Sequence, residues 1–134
     1  MQDASIAEMK QREDGIYEIW VRGSGQGATN ALFDMILQAH QEQAARDPKS
    51  LIRFMIHVDT ERDLAIREVT ARSRVDRPKW VCPSRSAMIA NNKTMWNFIM
   101  RVLTGMRLVK DDVAYFEPEN IDKALEWLKR PQGR

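Results

Sequence analysis

Apolar residues along this chain fall into continuous runs and into helical spacing, and the two patterns alternate. The clearest case lies near the C-terminal end, where residues 113–116 form a short apolar run that ends before Pro118. Apolar residues then recur at the spacing of a helix face, at Ile121, Ala124, Leu125 and Leu128. The pattern predicts a buried strand followed at once by an amphipathic helix.

The N-terminal part carries the signals of a β-hairpin. Asp14-Gly15 is a favoured two-residue turn because glycine tolerates positive φ. Residues 16–21 after the turn are β-branched and aromatic, as strands prefer. Residues 5–12 before the turn are more polar, and two interpretations stay open for them, an edge strand or a frayed helix.

A long helix and a central strand are predicted next. Thr29 or Asn30 can cap a helix that continues to about Arg46, since Pro48 stops it soon afterwards. Residues 51–58 are nearly continuous apolar sequence, which is typical of a strand covered on both faces.

Two further strand–helix units complete the pattern. An arginine-rich helix follows the central strand and ends at Arg77-Pro78, and a strand at residues 86–91 leads to a helix that ends at Gly105. Residues 79–85 are read either as the start of that strand or as a loop. The sequence therefore predicts one α/β domain over residues 1–134, with a mixed sheet of about five strands, an N-terminal hairpin and four helices. Residues 131–134 are expected to form a C-terminal tail.

Composition narrows the class of protein. The chain has 134 residues, 43% of them hydrophobic, which is enough for one packed core. A net charge of +2 is too balanced to indicate a nucleic-acid-binding protein. No apolar run approaches the ~20 residues of a transmembrane helix. The polar N-terminus lacks a signal-peptide core, and the single cysteine, Cys82, excludes an internal disulfide, so we expect a cytoplasmic protein.

Two sites for chemistry stand out at strand ends. The glycines Gly23, Gly25 and Gly27 come between a strand and a helix, where free backbone N–H groups can bind phosphate or carboxylate. The alternative is a flexible connection without a ligand. His57 and Asp59 lie two apart at the end of the central strand, so the aspartate can orient the imidazole as a general base. The alternative is a packed histidine and a helix-capping aspartate, because no nucleophile is evident nearby.

Two longer stretches favour binding surfaces. Residues 62–85 are rich in arginine but interleaved with carboxylates, which suits either a patch for an acidic partner or a salt-bridged helix surface. Trp96 lies between Met95 and Met100, which suits an apolar pocket, a dimer face or ordinary core. His40 is expected to have a packing or surface role. Two distant histidines and one cysteine give no metal-ligand pattern, and no cofactor fingerprint is present.

The element order resembles the SpoIIAA-like family, which is similar to the STAS domain (sulphate transporter and anti-sigma factor antagonist). The likeness covers about residues 5–129 and is sharpest in the Tyr115-Phe116 strand and the A-L-E-W-L helix at residues 124–128. Sigma-factor antagonists of that group carry an Asp-Ser-x-Gly phosphorylation motif after a central strand. The comparable segment here, residues 59–64, has neither the serine nor the glycine. The fold of SpoIIAA-like proteins is also similar to that of the lipid-carrying Sec14 (CRAL-TRIO) domains.

The resemblance implies a small non-enzymatic binding or regulatory domain. We expect it to bind a partner protein, a second copy of itself, or a small apolar or anionic ligand. The expected surface is formed by the carboxyl ends of the strands. Its residues are Gly23, Gly25, Gly27, His57, Asp59, Thr60, Asn91, Asn92 and, beside them, Trp96. The alternatives are a phosphoswitch that uses Thr60 or Ser73 and an enzyme that uses His57 and Asp59.

Overall fold

The computed structural model describes residues 7–22, 25–58, 71–72, 74–80, 82–90 and 111–130. The strands are β1 Ala7–Gln11, β2 Tyr17–Val21, β3 Ile52–Val58, β4 Ser84–Ile89 and β5 Asp111–Phe116. The α-helices with complete bounds are α1 Gly25–Arg46 and α2 Ile121–Leu128. Residues 71–72 and 74–76 are also helical, and short 3₁₀ turns cover Arg77–Lys79 and Pro118–Asn120.

All five strands form one sheet in the order β1-β2-β3-β4-β5. β1 is antiparallel to β2, and each later strand is parallel to the one before it. The predicted mixed sheet with an N-terminal hairpin is therefore confirmed. Gly15 has φ 88°, a conformation that glycine adopts at little cost. The N–H of Gly15 donates to the carbonyl of Arg12 and the N–H of Arg12 donates to that of Ile16, so the loop consists of residues 13–15 and not, as predicted, of Asp14-Gly15 alone.

The first face of the sheet packs against α1. The alternating residues Tyr17, Ile19 and Val21 of β2 point to this face and are buried with residues of the helix. β3 contributes Phe54, Ile56 and Val58 to the same cluster, and the helix contributes Leu32, Phe33 and Ala39. This cluster is the larger of the two cores, and its apolar burial is the main force that holds the long helix on the sheet.

The second face packs against α2, but only over part of its width. Met55, Ala87 and Ile89 are buried there against Ala124 and Leu128 of the helix. The main contacts of α2 with the sheet are with β3, β4 and β5. Among the described helices none covers the β1–β2 half of this face, where the candidate site lies.

Three boundaries differ from the sequence-based expectation. α1 begins at Gly25, so Thr29 lies inside the helix and is buried rather than capping it. β4 begins at Ser84, two residues earlier than predicted, because Ser84 is in register with both Ile52 and Asp111. Of the ambiguous residues 79–85, Ser84 and Arg85 belong to β4, whereas Lys79 ends a 3₁₀ turn and buried Cys82 lies in no strand.

The helix count is confirmed only in part. Among the described residues there are three α-helical segments, and the fourth, expected after residue 91, falls on residues 91–110, which lie outside them. None of the described helices has both the length and the apolar character that crossing a bilayer requires.

Candidate functional site

Most of the predicted site residues lie outside the described part of the chain. These are Gly23, Asp59, Thr60, Ser73, Asn91, Asn92 and Trp96. Gly25 and Gly27 lie in the first turn of α1, where Gly27 is exposed. The anion site at the glycines and the phosphoswitch therefore stay predictions, and the structure describes a site around His57.

The alternation of β2 and β3 brings His57 to the second face of the sheet. Because Phe54, Ile56 and Val58 point to α1, Met55 and His57 point the other way. The parallel register pairs His57 with Trp20 and Met55 with Glu18. Met55 is buried in the cluster with α2, whereas His57 is partly exposed and does not belong to that cluster.

His57 is held by a carboxylate and an aromatic ring from β2. Its Nε2 lies 2.7 Å from Glu18 Oε2, and the side chains are 17% and 13% exposed respectively. The Trp20 ring stacks on the imidazole with centroids 5.5 Å apart and planes 7° apart. Within the described residues, Glu18 is thus the carboxylate that orients this histidine, the role that the sequence suggested for Asp59.

Two cations from β1 and the turn complete the group. Lys10 Nζ lies 6.0 Å from the centroid of the Trp20 ring, within reach of a cation–π contact. Arg12 Nη1 is 4.0 Å from Glu18 Oε1. We name Lys10, Arg12, Glu18, Trp20 and His57 the hairpin face.

The hairpin turn is fixed beside this face by Asp14. Burial opposes ionisation of the carboxyl, yet the N–H of Ile16 and the charges of Arg12 and Lys129 lower the pKa of Asp14. Asp14 Oδ1 lies 3.3 Å from Arg12 Nε, and Oδ2 lies 3.7 Å from Lys129 Nζ just after α2. The turn is therefore linked to the end of the C-terminal helix.

An open cleft of about 520 Å³ adjoins the turn and the hairpin face. Its lining is polar and of mixed charge, and consists of Lys10, Gln11, Arg12, Glu13, Asp14 and Glu18. The mixture of carboxylates and cations does not select strongly for an anion, and the cleft offers little apolar surface to a lipid chain. It can instead form several hydrogen bonds and ion pairs with a polar surface.

The described side chains of this face supply hydrogen bonds, ion pairs and one oriented imidazole. Side chains on the described strands of the second face include no serine, threonine or cysteine, so His57 has no nucleophile to activate there. The parts of the chain that the structure describes contain no group of three or more residues able to hold a metal ion. A His–Glu pair alone can orient a ligand or accept a proton.

An arginine pair that sequence analysis did not identify lies elsewhere on the second face. Arg53 and Arg85 are register partners on β3 and β4. Arg53 donates to the carbonyl oxygens of Leu128 and Arg130, and Arg85 donates to those of Trp127 and Arg130. Both cations thus bind carbonyls in the last turn of α2 and just after it, where the helix dipole favours positive charge. The sequence signal that could have revealed Arg53 was an arginine within a run of apolar strand residues.

The arginine-rich stretch is partly neutralised within the fold. Arg72 contacts Asp34 of α1 at 2.9 Å and the buried Asp76 at 2.7 Å. Arg85 is only 5% exposed and binds α2, so it is not part of a surface patch with Arg72. His40 has the packing role expected for it, between the rings of Trp80 and Phe54.

Comparison with known proteins adds no relative. No family model matches the chain, and no curated protein or solved structure matches it either. The likeness to the SpoIIAA-like family stays a prediction that rests on the residues quoted for it.

Proposed function

We propose that this chain is a non-enzymatic binding domain of SpoIIAA-like type that docks a protein partner on its hairpin face. The observation that carries the proposal is the pre-ordered group on the half of the second sheet face that none of the described helices covers. There a stacked Trp20–His57 pair, oriented by Glu18, stands among polar side chains.

The balance of surface types favours a protein partner over a small ligand. Tryptophan and arginine are enriched at the centres of protein interfaces because they combine apolar area with hydrogen bonding. Trp20 and Arg12 lie here beside an open polar cleft rather than within an enclosed apolar pocket. Ordered side chains also reduce the entropy that a partner must overcome on binding.

Site-specific photo-crosslinking tests this proposal. A photoreactive phenylalanine analogue at position 20 should crosslink a discrete protein in cells of the source organism, because the ring lies on the docking surface. The matched control has the analogue at Glu126, which is exposed on α2. Excess wild-type protein should compete for the partner, and Arg12→Ala in the position-20 variant should weaken capture several-fold.

Two results would reject the protein-docking role. One is an identical crosslinking pattern at positions 20 and 126. The other is a small molecule that native mass spectrometry finds on the wild-type protein and not on Trp20→Ala, which would assign the face to a metabolite.

The His57–Glu18 contact also favours one second candidate, a proton-transfer function. The 2.7 Å contact fixes the orientation of the imidazole, as a general base requires. If the face is catalytic, His57→Gln should abolish turnover of a substrate identified by metabolite screening while protein binding persists. If it is a docking face, His57→Gln should weaken partner capture and change no metabolite.

A further inference from the structure

β1 forms one edge of the described sheet. It pairs with β2 on one side, and no described strand pairs with its other side. An edge strand presents backbone N–H and C=O groups that can pair with another strand. Glu8, Lys10 and Gln11 on this strand are exposed.

The hydrogen-bonding pattern of the hairpin shows which backbone groups face outward. The N–H of Arg12 donates to the carbonyl of Ile16 at 2.8 Å, which places this pair at a hydrogen-bonding position of the ladder; at the loop the carbonyl of Arg12 accepts from Gly15 instead of Ile16. Pairs in an antiparallel ladder alternate between bonded and non-bonded. Lys10 and Glu8 therefore bond to β2, whereas the N–H and C=O groups of Ala7, Met9 and Gln11 point away from it.

The charges on β1 are self-complementary about Met9. In an antiparallel pair of two copies centred on Met9, Glu8 of each copy stands opposite Lys10 of the other. Met9 would form a hydrogen-bonded pair with its counterpart, and Glu8–Lys10 pairs would fall at non-bonded positions, where side chains are closer. In any other antiparallel register, Glu8 of one copy no longer stands opposite Lys10 of the other.

We propose that two copies of this chain associate through antiparallel pairing of their β1 strands, with the two-fold axis at Met9. The two five-stranded sheets then form one continuous sheet across the axis. The interface is isologous, because each copy contributes the same strand. Within each copy, Lys10 faces Glu18 across β1–β2, and Arg22 lies 2.7 Å from Glu8. Rows of alternating charge then cross the new strand pair.

The partly buried Met9 supplies an apolar contact at the axis on the α1 side of the sheet. A short strand pair buries less surface than a stable interface of ~1,000 Å² or more, so the dimer should be weak and concentration-dependent. Its formation does not depend on the protein-docking role of the hairpin face.

A charge-exchange experiment on the full chain tests the register. Sedimentation velocity should show the wild-type protein moving from monomer to dimer as concentration rises into the high micromolar range. Glu8→Lys places lysines opposite each other, and Lys10→Glu places glutamates opposite each other, so each variant alone should stay monomeric. An equimolar mixture should recover a heterodimer, because both cross-pairs are again opposite in charge.

The matched controls carry the same charge changes away from the edge. Glu126→Lys and Lys123→Glu alter exposed residues of α2 and should dimerise like the wild type. Gln11→Pro removes an outward N–H without removing a bond to β2, and should abolish association with the circular dichroism spectrum retained. A wild type that stays monomeric at about 1 mM, or a mixture no more associated than its components, overturns the proposal.

Discussion

The two halves of the second sheet face differ although the same strands build them. Under α2 the face is mainly apolar, with Met55 and Ile89 buried against Leu128, and its two arginines bind the end of the helix. Two residues beyond Met55 on the same strand, His57 contacts Glu18 and Trp20 in a polar setting. Among the described elements, α2 thus covers the apolar part of the face and leaves outside its main contacts the polar part that we propose as a docking surface.

The largest loss of stability is expected from a substitution on the α2 side. Leu128→Ala should lower the free energy of unfolding by about 3 kcal/mol, because it leaves a cavity under a fully buried side chain. Trp20→Ala on the hairpin face should cost about 1 kcal/mol, mainly through the lost stacking. Urea unfolding measures both values, and equal losses would show that the halves do not differ in role.

Acid should weaken the α1 side through His40. This residue is 1% exposed, and burial lowers the pKa of His40 from 6.5 to about 4. The unfolded chain therefore takes up a proton at a higher pH than the folded protein, so stability is full above pH 6.5 and falls as pH drops towards 4. The loss should approach about 3 kcal/mol.

The pH dependence of unfolding for wild type and His40→Leu isolates this contribution. The variant should lose less stability between pH 6.5 and 4, because no buried imidazole remains to be protonated. A parallel decline of the two proteins would assign the acid sensitivity to other groups.

The arginine pair should have the next largest effect. Arg85→Met removes donors to the carbonyls of Trp127 and Arg130, and it should cost about 2 kcal/mol. Hydrogen exchange should accelerate in the last turn of α2 and remain slow in α1. Lys123→Met, on the exposed side of α2, is the control and should leave exchange in that turn nearly unchanged.

The smallest change in stability is expected on the hairpin face. Glu18→Gln keeps a hydrogen-bond acceptor near His57, so the free energy of unfolding should change by about 1 kcal/mol or less. Partner capture by the position-20 crosslinker should nevertheless fall several-fold. A Glu18→Gln protein that is stable and still captures the partner fully would show that Glu18 is not part of the binding surface.

Sequence periodicity predicted the elements because each one carries a local signal. The alternation of β2, the turn glycine Gly15 and the spacing of α2 are all visible within a few residues, although the turn is one residue longer than predicted. The start of α1 was wrong because Gly25 begins the helix despite its low propensity, and Thr29 is buried instead of capping.

The site was less predictable, because its contacts join distant parts of the chain. The sequence singled out His57 as a candidate but not Glu18, which meets it only through the register of β2 with β3. The contact of Arg53 with the end of α2 spans still more of the chain. No pattern within one element specifies either pair, since register and helix placement are set by the packing of the whole sheet.

The strand order follows the order of synthesis. Each strand pairs with the strand made just before it, so the growing chain can extend the sheet one strand at a time as it leaves the ribosome. The helix α2 is made last of the described elements. Until then it cannot cover the apolar residues Met55, Ala87 and Ile89. A nascent chain stalled before residue 121 should therefore expose an apolar strip that chaperones can bind.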